Sequence, residues 1–339
     1  MDFDRYTNIK KNHDFRKATA MNRWIITAAI CALFGNACSA VNPAEYEGAR
    51  IATDYGAQPL EPLFDTPLKD IQVLVTPDGW YYMTATLGYP DWQIKNDGIY
   101  LWKSKDLKTW KSISKVWDIE KDGTWQKDFQ TVPDSPLSQK GRAVWAPEIH
   151  HIKDNYYIVF AMNYGGIGIL KSKTGEAEGP YVDPVGKELT SGIDGFFFQD
   201  DDKTVYFIWG GGNIARMKTD MTGFAEKPRH IVNVDGENMG YEGCSLIKHK
   251  GKYVLFASDW HGSHEGTYDL MYSVSDNIYG PYSKRKFGIP HAGHATVFKG
   301  LDGKLYSTAF GSDGTAPYHM RLGYVEIGIT DNWEIKVKE

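Results

Sequence analysis

Acidic residues stand at the start of four apolar, β-rich runs in the sequence. They are Asp70, Glu148, Asp194 and Glu242. Hydrolysis of a glycosidic bond needs one protonated carboxyl group to assist the leaving oxygen, and one ionised carboxylate to activate water or attack carbon. A single acidic residue before a strand is more often a turn former that bonds nearby backbone amides. Four in the same phase of a repeat favour one shared site over four separate turns.

The elements that must position these residues belong to a pattern that recurs five times, in which a turn precedes an aromatic-rich, alternating strand. The copies begin at Asp78, Asp154, Asp202, Lys250 and Asp302. They are spaced by about 50 residues, apart from one insertion between Trp110 and Arg142. Repeats of this length made of strands and turns are typical of propeller blades. We therefore predict an all-β fold, a five-bladed β-propeller with four-stranded antiparallel blades.

Turns before an outer strand also recur, at Ser104–Trp110, Glu178–Tyr181 and Tyr279–Tyr282. No stretch after residue 60 keeps the apolar period of about 3.6 residues that a helical solenoid would need. Because equivalent positions of a propeller's innermost strands meet at one mouth of the central channel, we expect the chemistry to lie at the starts of those strands.

Residues 1–40 are predicted to be an upstream extension followed by a signal peptide, with Met21 as a conventional start. A basic residue precedes the short apolar run Ile25–Phe34, which is too short to span a bilayer. Two endings of this signal remain open, a lipid anchor on Cys38 as in bacterial lipoproteins, or cleavage after Ala40. Either predicts a protein that a bacterium secretes, keeps in its periplasm or anchors in its outer membrane.

The remainder, residues 41–339, is predicted to be one catalytic propeller domain that works as a monomer. It keeps a single cysteine, Cys244, which excludes an intrachain disulfide in the mature domain. The net charge is -5 and the basic residues are scattered, which excludes the electrostatic footprint of a nucleic-acid binder. Aromatic residues make up 14% of the chain and serve equally as core or as stacking platforms for sugars. The expected partner is an oligo- or polysaccharide, and a membrane only through a lipid anchor.

Three segments together resemble glycoside hydrolase family 43, and the resemblance extends from about Leu68 to Phe310. The segments are Arg142–His150 with its Trp-Ala-Pro-Glu sequence, Ile193–Asp201, and Tyr241–Gly243 together with Tyr253–Ser258. The resemblance implies that Asp70 is the general base, Glu242 the general acid, and Asp194 the carboxylate that orients the acid and keeps it protonated. It also implies inversion, for which the carboxyl groups of Asp70 and Glu242 should be roughly 6.5–9.5 Å apart.

The sequence departs from the family pattern at three places. The first family motif usually reads Arg-Asp-Pro, whereas this chain has Lys69-Asp70-Ile71, so Asp65 and Asp78 are kept as alternative bases. Gly195 stands where Pro is common, and Cys244 stands where Pro often follows Glu-Gly. We expect the substrate pocket to differ in shape from that of the best-known members.

Five further residues are predicted to line the substrate site: Trp145, Glu148, Trp260, His294 and Arg321. Trp145 is the first choice as a stacking platform for a sugar and Trp260 the second. Glu148 is interpreted as a wall or hydrogen-bonding residue without a proton-transfer role. Arg321 would reach a sugar hydroxyl, orient Asp70, or lie on the surface.

No cofactor is required by this chemistry, but a structural calcium ion in the central channel is one expectation. His294 belongs to a Gly-His pair that in the family reaches the channel and sometimes holds hydrated calcium. A zinc site at His291 and His294 is disfavoured, because no further His or Cys cluster accompanies them. The run Asp200–Asp202 is interpreted as a solvated hairpin turn and not as a calcium loop.

The expected function is inverting, exo-acting hydrolysis that releases terminal α-L-arabinofuranose or β-D-xylose, with galactose as a further option, from plant or algal polysaccharides. The insertion after Trp110 would favour terminal sugars by closing one end of the groove. Two alternatives remain: a non-catalytic carbohydrate-binding propeller, and a retaining enzyme of the fructan hydrolase type. The fructan hydrolase alternative is weakened because the Trp-Met-Asn-Asp-Pro-type opening of those enzymes is missing from this sequence. A sialidase is disfavoured because only one segment, Ser104–Trp110, approaches an Asp box.

Overall fold

The computed structural model describes residues 63, 66–89, 92, 96–128, 142–163, 166–260, 267–314, 316 and 319–338. Within them, twenty strands form five antiparallel sheets of four strands each. The five-bladed β-propeller predicted from the repeat is confirmed. The predictions about the signal peptide and Cys38 concern residues outside this part of the chain.

Each blade is built from four strands that follow one another in the chain and pair in that order. Blade 1 contains β1 (Lys69–Val75), β2 (Tyr81–Thr86), β3 (Gly98–Ser104) and β4 (Trp110–Asp118). Blade 2 contains β5 (Val144–Ile152), β6 (Asn155–Met162), β7 (Ile167–Ser172) and β8 (Tyr181–Val182). Blade 3 contains β9 (Gly195–Gln199), β10 (Val205–Trp209), β11 (Asn213–Arg216) and β12 (Arg229–His230). Blade 4 contains β13 (Glu242–His249), β14 (Lys252–Trp260), β15 (Tyr268–Ser275) and β16 (Lys286–Ile289). Blade 5 contains β17 (Val297–Lys299), β18 (Leu305–Ala309), β19 (Gly323–Ile329) and β20 (Ile335–Val337).

The recurring turn in the sequence is the hairpin between the first and second strands of each blade. In blade 1 it places Gly79 at a φ of 77°, a left-handed conformation that glycine adopts without strain. The second strand that follows is buried on both faces, as the burial of all six residues of β2 illustrates. Strands covered on both sides favour large β-branched and aromatic residues, which explains the aromatic signal in the repeat.

The hydrophobic core is divided among the contacts between blades. Each of five clusters of buried residues joins two neighbouring blades, including blade 5 with blade 1. In one of them, Val159 of blade 2 packs in the same cluster as Phe207 of blade 3. The blades are therefore stabilised mainly by burying apolar side chains against each other.

The ring closes without a shared strand in the described part of the chain, since every sheet is made of consecutive strands. Blade 5 reaches blade 1 through the hydroxyls of Thr296 and Thr308, which donate to the carbonyl of Ile71 at 3.2 and 3.0 Å. Blade 1 reaches blade 2 through the Gln72 amide, which both donates to and accepts from the backbone of Ile149. Polar side chains thus add to the backbone hydrogen bonds at these two junctions, where Leu68 N–H donates to the carbonyl of Met320 and Val144 N–H to that of Asn96.

The insertion predicted after Trp110 begins with β4 and continues into α1 (Ile119–Asp122) and a 3-10 helix, Trp125–Asp128. Asp118 caps α1 by accepting from two backbone N–H groups. The buried Gln126 donates to Asp183, just after β8, so this part of the insertion packs on the outer edge of blade 2. Residues 129–141 lie outside the described residues, and closure of the groove by this insertion stays a prediction. No helix among the described residues is long and apolar enough to cross a membrane.

Candidate active site

One residue near the start of each blade's innermost strand adopts a left-handed backbone conformation. These residues are Asp70, Ala146, Asp194, Gly243 and His294, with φ of 51°, 43°, 58°, 66° and 56°. In blades 1, 2 and 4 they lie inside a β-bulge, where the register of the first two strands shifts. Bulges re-aim side chains, and a left-handed residue other than glycine costs on the order of 1 kcal/mol or more. The five blades therefore repeat one local backbone conformation, and three of the five residues that adopt it carry ionisable side chains.

Those three ionisable side chains meet. His294 Nδ1 lies 3.2 Å from Asp70 Oδ1 and 3.8 Å from Asp194 Oδ2. The backbone N–H of Gly243 donates to the same Asp194 oxygen at 3.2 Å. Equivalent positions from blades 1, 3, 4 and 5 thus converge on one buried cluster.

The charge on His294 is set by this surrounding. Burial alone would lower the pKa of His294, but the carboxylates of Asp194 and Asp70 outweigh it and raise the pKa to about 10. The imidazole is therefore a cation at neutral pH, and it compensates part of the negative charge of the cluster.

Asp70 is held in its ionised form. Burial would raise its pKa, but the positive charges of Lys69 and His294, with hydrogen bonds from His294 and Thr86, hold the pKa well below its usual range. Thr86 lies on β2, and its hydroxyl also accepts from the backbone N–H of Ala146 at 2.7 Å. Lys69 keeps the cation that the family has before this aspartate.

Asp194 shows the opposite behaviour. Burial raises its pKa, the cation of His294 lowers it, and the carboxylates of Glu242, Asp70 and Glu148 raise it further. The net direction is upward. Two aspartates that touch the same imidazole are thus driven toward different protonation states, a pattern found where an acid and a base divide their roles.

Glu242 is the first residue of β13 and completes the cluster. The phenol of Tyr268, on β15, donates to its Oε1 at 2.7 Å. The electrostatic influence of Glu242 reaches both Asp194 and His294. The structure therefore brings Asp70, Asp194, Glu242 and His294 together, while their catalytic roles stay predictions.

Glu148 lies beside this cluster. It follows the bulge of β5, is 3% exposed, and adds to the negative charge that raises the pKa of Asp194. Its Oε2 is 3.3 Å from His150 Nε2, but the two atoms are not aligned for a hydrogen bond. The position suits the supporting role expected of it.

The two predicted stacking platforms are largely covered. Trp145 is 6% exposed and packs at a tilt on Trp92, with ring centroids 5.3 Å apart. Trp260 stacks on Tyr268 at 4.6 Å, so one face of its ring is occupied. Their use as sugar platforms stays a prediction, and each has an aromatic partner that sequence reasoning did not name.

Arg321 is half-buried, and its guanidinium donates to the carbonyl of Met320 at 3.5 Å. Of the alternative bases, Asp78 is exposed in the hairpin turn after β1, where it accepts from Thr76. Asp65 lies outside the described residues.

The Asp200–Asp202 run forms the turn before β10, and Lys248 pairs with two of its carboxylates. That pairing fits the interpretation as a turn.

Direct coordination of a metal ion by the side chains of this cluster fits their geometry poorly. Among the described residues, no three His, Cys, Asp or Glu side chains are grouped to hold one. His294 already directs Nδ1 at two carboxylates, so only its other nitrogen could approach a hydrated ion, and only in the neutral form. The geometry therefore suits a counter-ion better than a ligand.

Three residues of this region were missed by sequence reasoning: Thr86, Ser258 and Tyr268. Thr86 ends β2, and Ser258 pairs with Glu242 across the first two strands of blade 4. They lie on second and third strands, whereas the predicted acid–base residues lie at the starts of first strands. Their positions within the repeat identify them as site residues only after the register between the strands is known.

A five-bladed propeller that gathers two buried aspartates, a glutamate and a histidinium has the fold and the acid–base groups of a propeller glycoside hydrolase. The sequence profile of glycosyl hydrolases family 43 matches residues 60–321. The chain therefore belongs to glycosyl hydrolases family 43, and it is a glycosidase.

Known relatives act on several furanosides and xylosides. A beta-D-galactofuranosidase of Aspergillus niger is 28% identical over 273 residues, which are 71% of this chain and 70% of that protein. An arabinoxylan arabinofuranohydrolase of Paenibacillus polymyxa is 30% identical over 224 residues, 50% of this chain and 34% of that protein. A solved beta-xylosidase/alpha-arabinofuranosidase from a compost microbial metagenome, in complex with xylotriose and calcium-free, superposes with a TM-score of 0.63 at 19% identity. That superposition covers 82% of this chain and 97% of the other, and it shows a shared fold.

Proposed function

We propose that the protein hydrolyses terminal glycosides with inversion of configuration. Asp70 takes a proton from water, the resulting hydroxide equivalent attacks the anomeric carbon, and Glu242 gives its proton to the departing oxygen. The observation that supports this most directly is the contact of one histidinium with two aspartates of opposite pKa shift. The contact keeps Asp70 ionised, so that Asp70 can take the proton of the water. Asp194 then interacts electrostatically with Glu242, the proposed acid.

Inversion is the mechanism that the resemblance to the family implies. His294 contacts Asp70 at 3.2 Å and Asp194 at 3.8 Å, and Glu242 interacts electrostatically with both His294 and Asp194. The separation of roughly 6.5–9.5 Å between the two carboxyl groups stays a prediction.

The substrate we propose is a terminal α-L-arabinofuranosyl or β-D-xylosyl residue of a plant or algal polysaccharide, with a galactosyl residue as the third option. The relatives support furanosides in particular. The β-D-galactofuranosyl ring has the same ring configuration as α-L-arabinofuranosyl and differs in its exocyclic group. A pocket that accepts one of these sugar rings would therefore accept the other. It would discriminate between the two sugars only at the part of the pocket that binds the exocyclic group.

The test is a hydrolysis screen over aryl α-L-arabinofuranosides, β-D-xylosides and β-D-galactofuranosides, with the anomer of the first product followed by proton NMR. Wild type should release the inverted sugar from at least one of them. Glu242→Gln and Asp70→Asn should each lose about 100-fold or more in activity, as expected for removal of an acid or a base. Retained configuration would remove the inverting mechanism, and an inactive wild type that still binds the sugars would favour the carbohydrate-binding alternative.

Export and metal binding are separate proposals. We propose that residues 1–40 direct secretion, with Cys38 lipidated or the chain cleaved after Ala40. The N-terminal mass of the protein purified from a bacterial host separates the two endings.

A hydrated calcium ion near His294 is the finer proposal for the channel, and a melting temperature that is unchanged between chelator and excess calcium would remove it.

A further inference from the structure

A row of polar side chains connects the two ends of the active-site cluster through residues that the proposed reaction does not use. The Tyr268 phenol donates to Oε1 of Glu242 at 2.7 Å. The backbone N–H of His294 donates to the hydroxyl of Ser258. The Ser258 side chain lies next to the phenol and acts to lower the pKa of Tyr268, the direction expected of a hydroxyl that donates to the phenol oxygen.

The direction of the contacts in this row follows from the backbone donor. A backbone N–H can only donate, so the Ser258 oxygen is the acceptor and its own hydrogen is free to point at Tyr268. A donor at the phenol oxygen leaves the phenol hydrogen for the carboxylate. The pKa of Tyr268 is raised well above its usual value by burial and by the charge of Glu242, so the phenol keeps its proton throughout the working range of pH.

The ring of Tyr268 has little freedom to move. Trp260 stacks on it at 4.6 Å, and the Cα of Gly293 lies so close that a Cβ there would be 2.2 Å from a ring carbon. The backbone N–H of Tyr268 donates to the buried carboxylate of Asp313 at 3.0 Å, and that carboxylate also binds the His291 ring. Tyr268 itself is 4% exposed. A phenol held on all these sides presents its hydroxyl in one place.

The consequence concerns which oxygen of Glu242 can carry a proton. Oε1 is occupied as an acceptor by the phenol, so in the acid form the transferable proton belongs on Oε2. We propose that Tyr268, oriented by Ser258, is a positioning residue that keeps Oε1 of Glu242 as an acceptor and directs its acidic proton from Oε2. This inference rests on the proposed role of Glu242 as general acid.

The experiment compares two aryl glycosides of the preferred sugar, a dinitrophenyl and an unsubstituted phenyl glycoside. Dinitrophenolate leaves without much help, whereas phenolate needs a proton from the acid. Tyr268→Phe should lower kcat about 10- to 100-fold on the phenyl glycoside and less than about threefold on the dinitrophenyl glycoside. Ser258→Ala should act in the same sense but more weakly, because the phenol itself remains. It also removes the acceptor of the His294 N–H, an effect beside the proposed base that both substrates share.

The matched control is Tyr282→Phe. Tyr282 is also buried, and its phenol donates to the carbonyl of Ile278, away from the carboxylates. It should leave the ratio of the two rates unchanged, and melting temperatures of all variants report whether they fold. If Tyr268→Phe does not fold, the rate ratio of Ser258→Ala decides.

Three outcomes separate the explanations. Equal losses on both substrates would assign Tyr268 a structural role and overturn this inference. A selective loss in Glu242→Gln without one in Tyr268→Phe would also overturn it while leaving the proposed function intact. If Glu242→Gln itself shows no dependence on the leaving group, the proposed acid is wrong and the inference is overturned together with it.

Discussion

At the scale of single residues, His294 is the charge on which both aspartates depend. It adopts the left-handed backbone conformation in the same position of blade 5 that Asp70 and Asp194 occupy in blades 1 and 3. Its positive charge lowers the pKa of both carboxyl groups, yet burial and the other carboxylates keep the pKa of Asp194 high. A neutral side chain at this position should therefore change the protonation of the site more than its shape.

We expect His294→Asn to move the acidic limb of the pH profile of kcat/KM. Loss of the imidazolium raises the pKa of Asp70, because one of the positive charges that lowers it is gone. A base works only when ionised, so activity should appear at a higher pH, by about one to three units for the loss of a contacting charge. Initial rates across the pH range measure the shift.

The control for this prediction is His230→Asn. His230 lies on β12 and bonds two asparagine side chains, Asn213 and Asn238, at a distance from the carboxylates. It should leave the profile in place. An acidic limb that stays where it is in His294→Asn would show that Asp70 does not depend on the imidazolium, or is not the base.

At the scale of elements, the repeat in the sequence predicts much of what the blades look like. The five hairpin turns and the aromatic second strands follow from local patterns that each copy repeats, and the outer turns follow from a pattern found in three of them. The starts of the first strands were also predicted, and with them Asp70, Asp194, Glu242 and His294. These positions are recognisable because they lie at or next to a left-handed residue that recurs near the start of the first strand in every blade.

The partners of those residues could not be predicted in the same way. Thr86, Ser258 and Tyr268 take their importance from the register between strands, which a one-residue shift would reverse. Trp92 is separated from Trp145 by the whole outer half of blade 1, and no spacing in the sequence relates the two. Contacts between different strands and blades are thus the part of the site that only three-dimensional packing defines.

Gly195 lies where neighbouring strands leave no room for a side chain. A Cβ at this position would lie 2.4 Å from Cζ of Phe207 and 2.7 Å from a methyl of Val159. The Phe207 ring therefore fills the space that a side chain at position 195 would need. Gly195 also follows Asp194 directly, so a shift of this backbone displaces the carboxylate.

We expect Gly195→Ala to lower the free energy of unfolding by about 1–3 kcal/mol, as overpacking of a filled core does, and to reduce kcat. Phe207→Leu in the same chain should recover part of both losses, because it vacates the space next to the new methyl group. Urea unfolding of the four members of this double-mutant cycle measures the coupling. Gly223→Ala, whose Cβ would meet only the Lys218 side chain at ordinary contact distance, is the control. Additive effects of the two changes would contradict the compensation.

At the scale of the whole molecule, the ring is closed where its two ends meet by side chains together with backbone hydrogen bonds. Blades 5 and 1 share a hydrophobic cluster, and Thr308 donates to the carbonyl of Ile71 while accepting from the backbone N–H of Thr296. Ile71 directly follows Asp70. Hydrogen bonds that contribute to closing the ring therefore also hold the residue next to the proposed base.

Thr308→Val tests this dependence, because valine has nearly the shape of threonine and lacks only its hydrogen bonds. The buried N–H of Thr296 loses its acceptor, and we expect the free energy of unfolding to fall by about 1–3 kcal/mol. The carbonyl beside Asp70 also loses one of its two hydroxyl donors, so kcat should fall with little change in KM. Urea unfolding and steady-state rates measure both effects, with the exposed Thr219→Val as the matched control. A loss of stability without any loss of kcat would separate ring closure from the active site, since a base held by the rest of blade 1 alone would not respond.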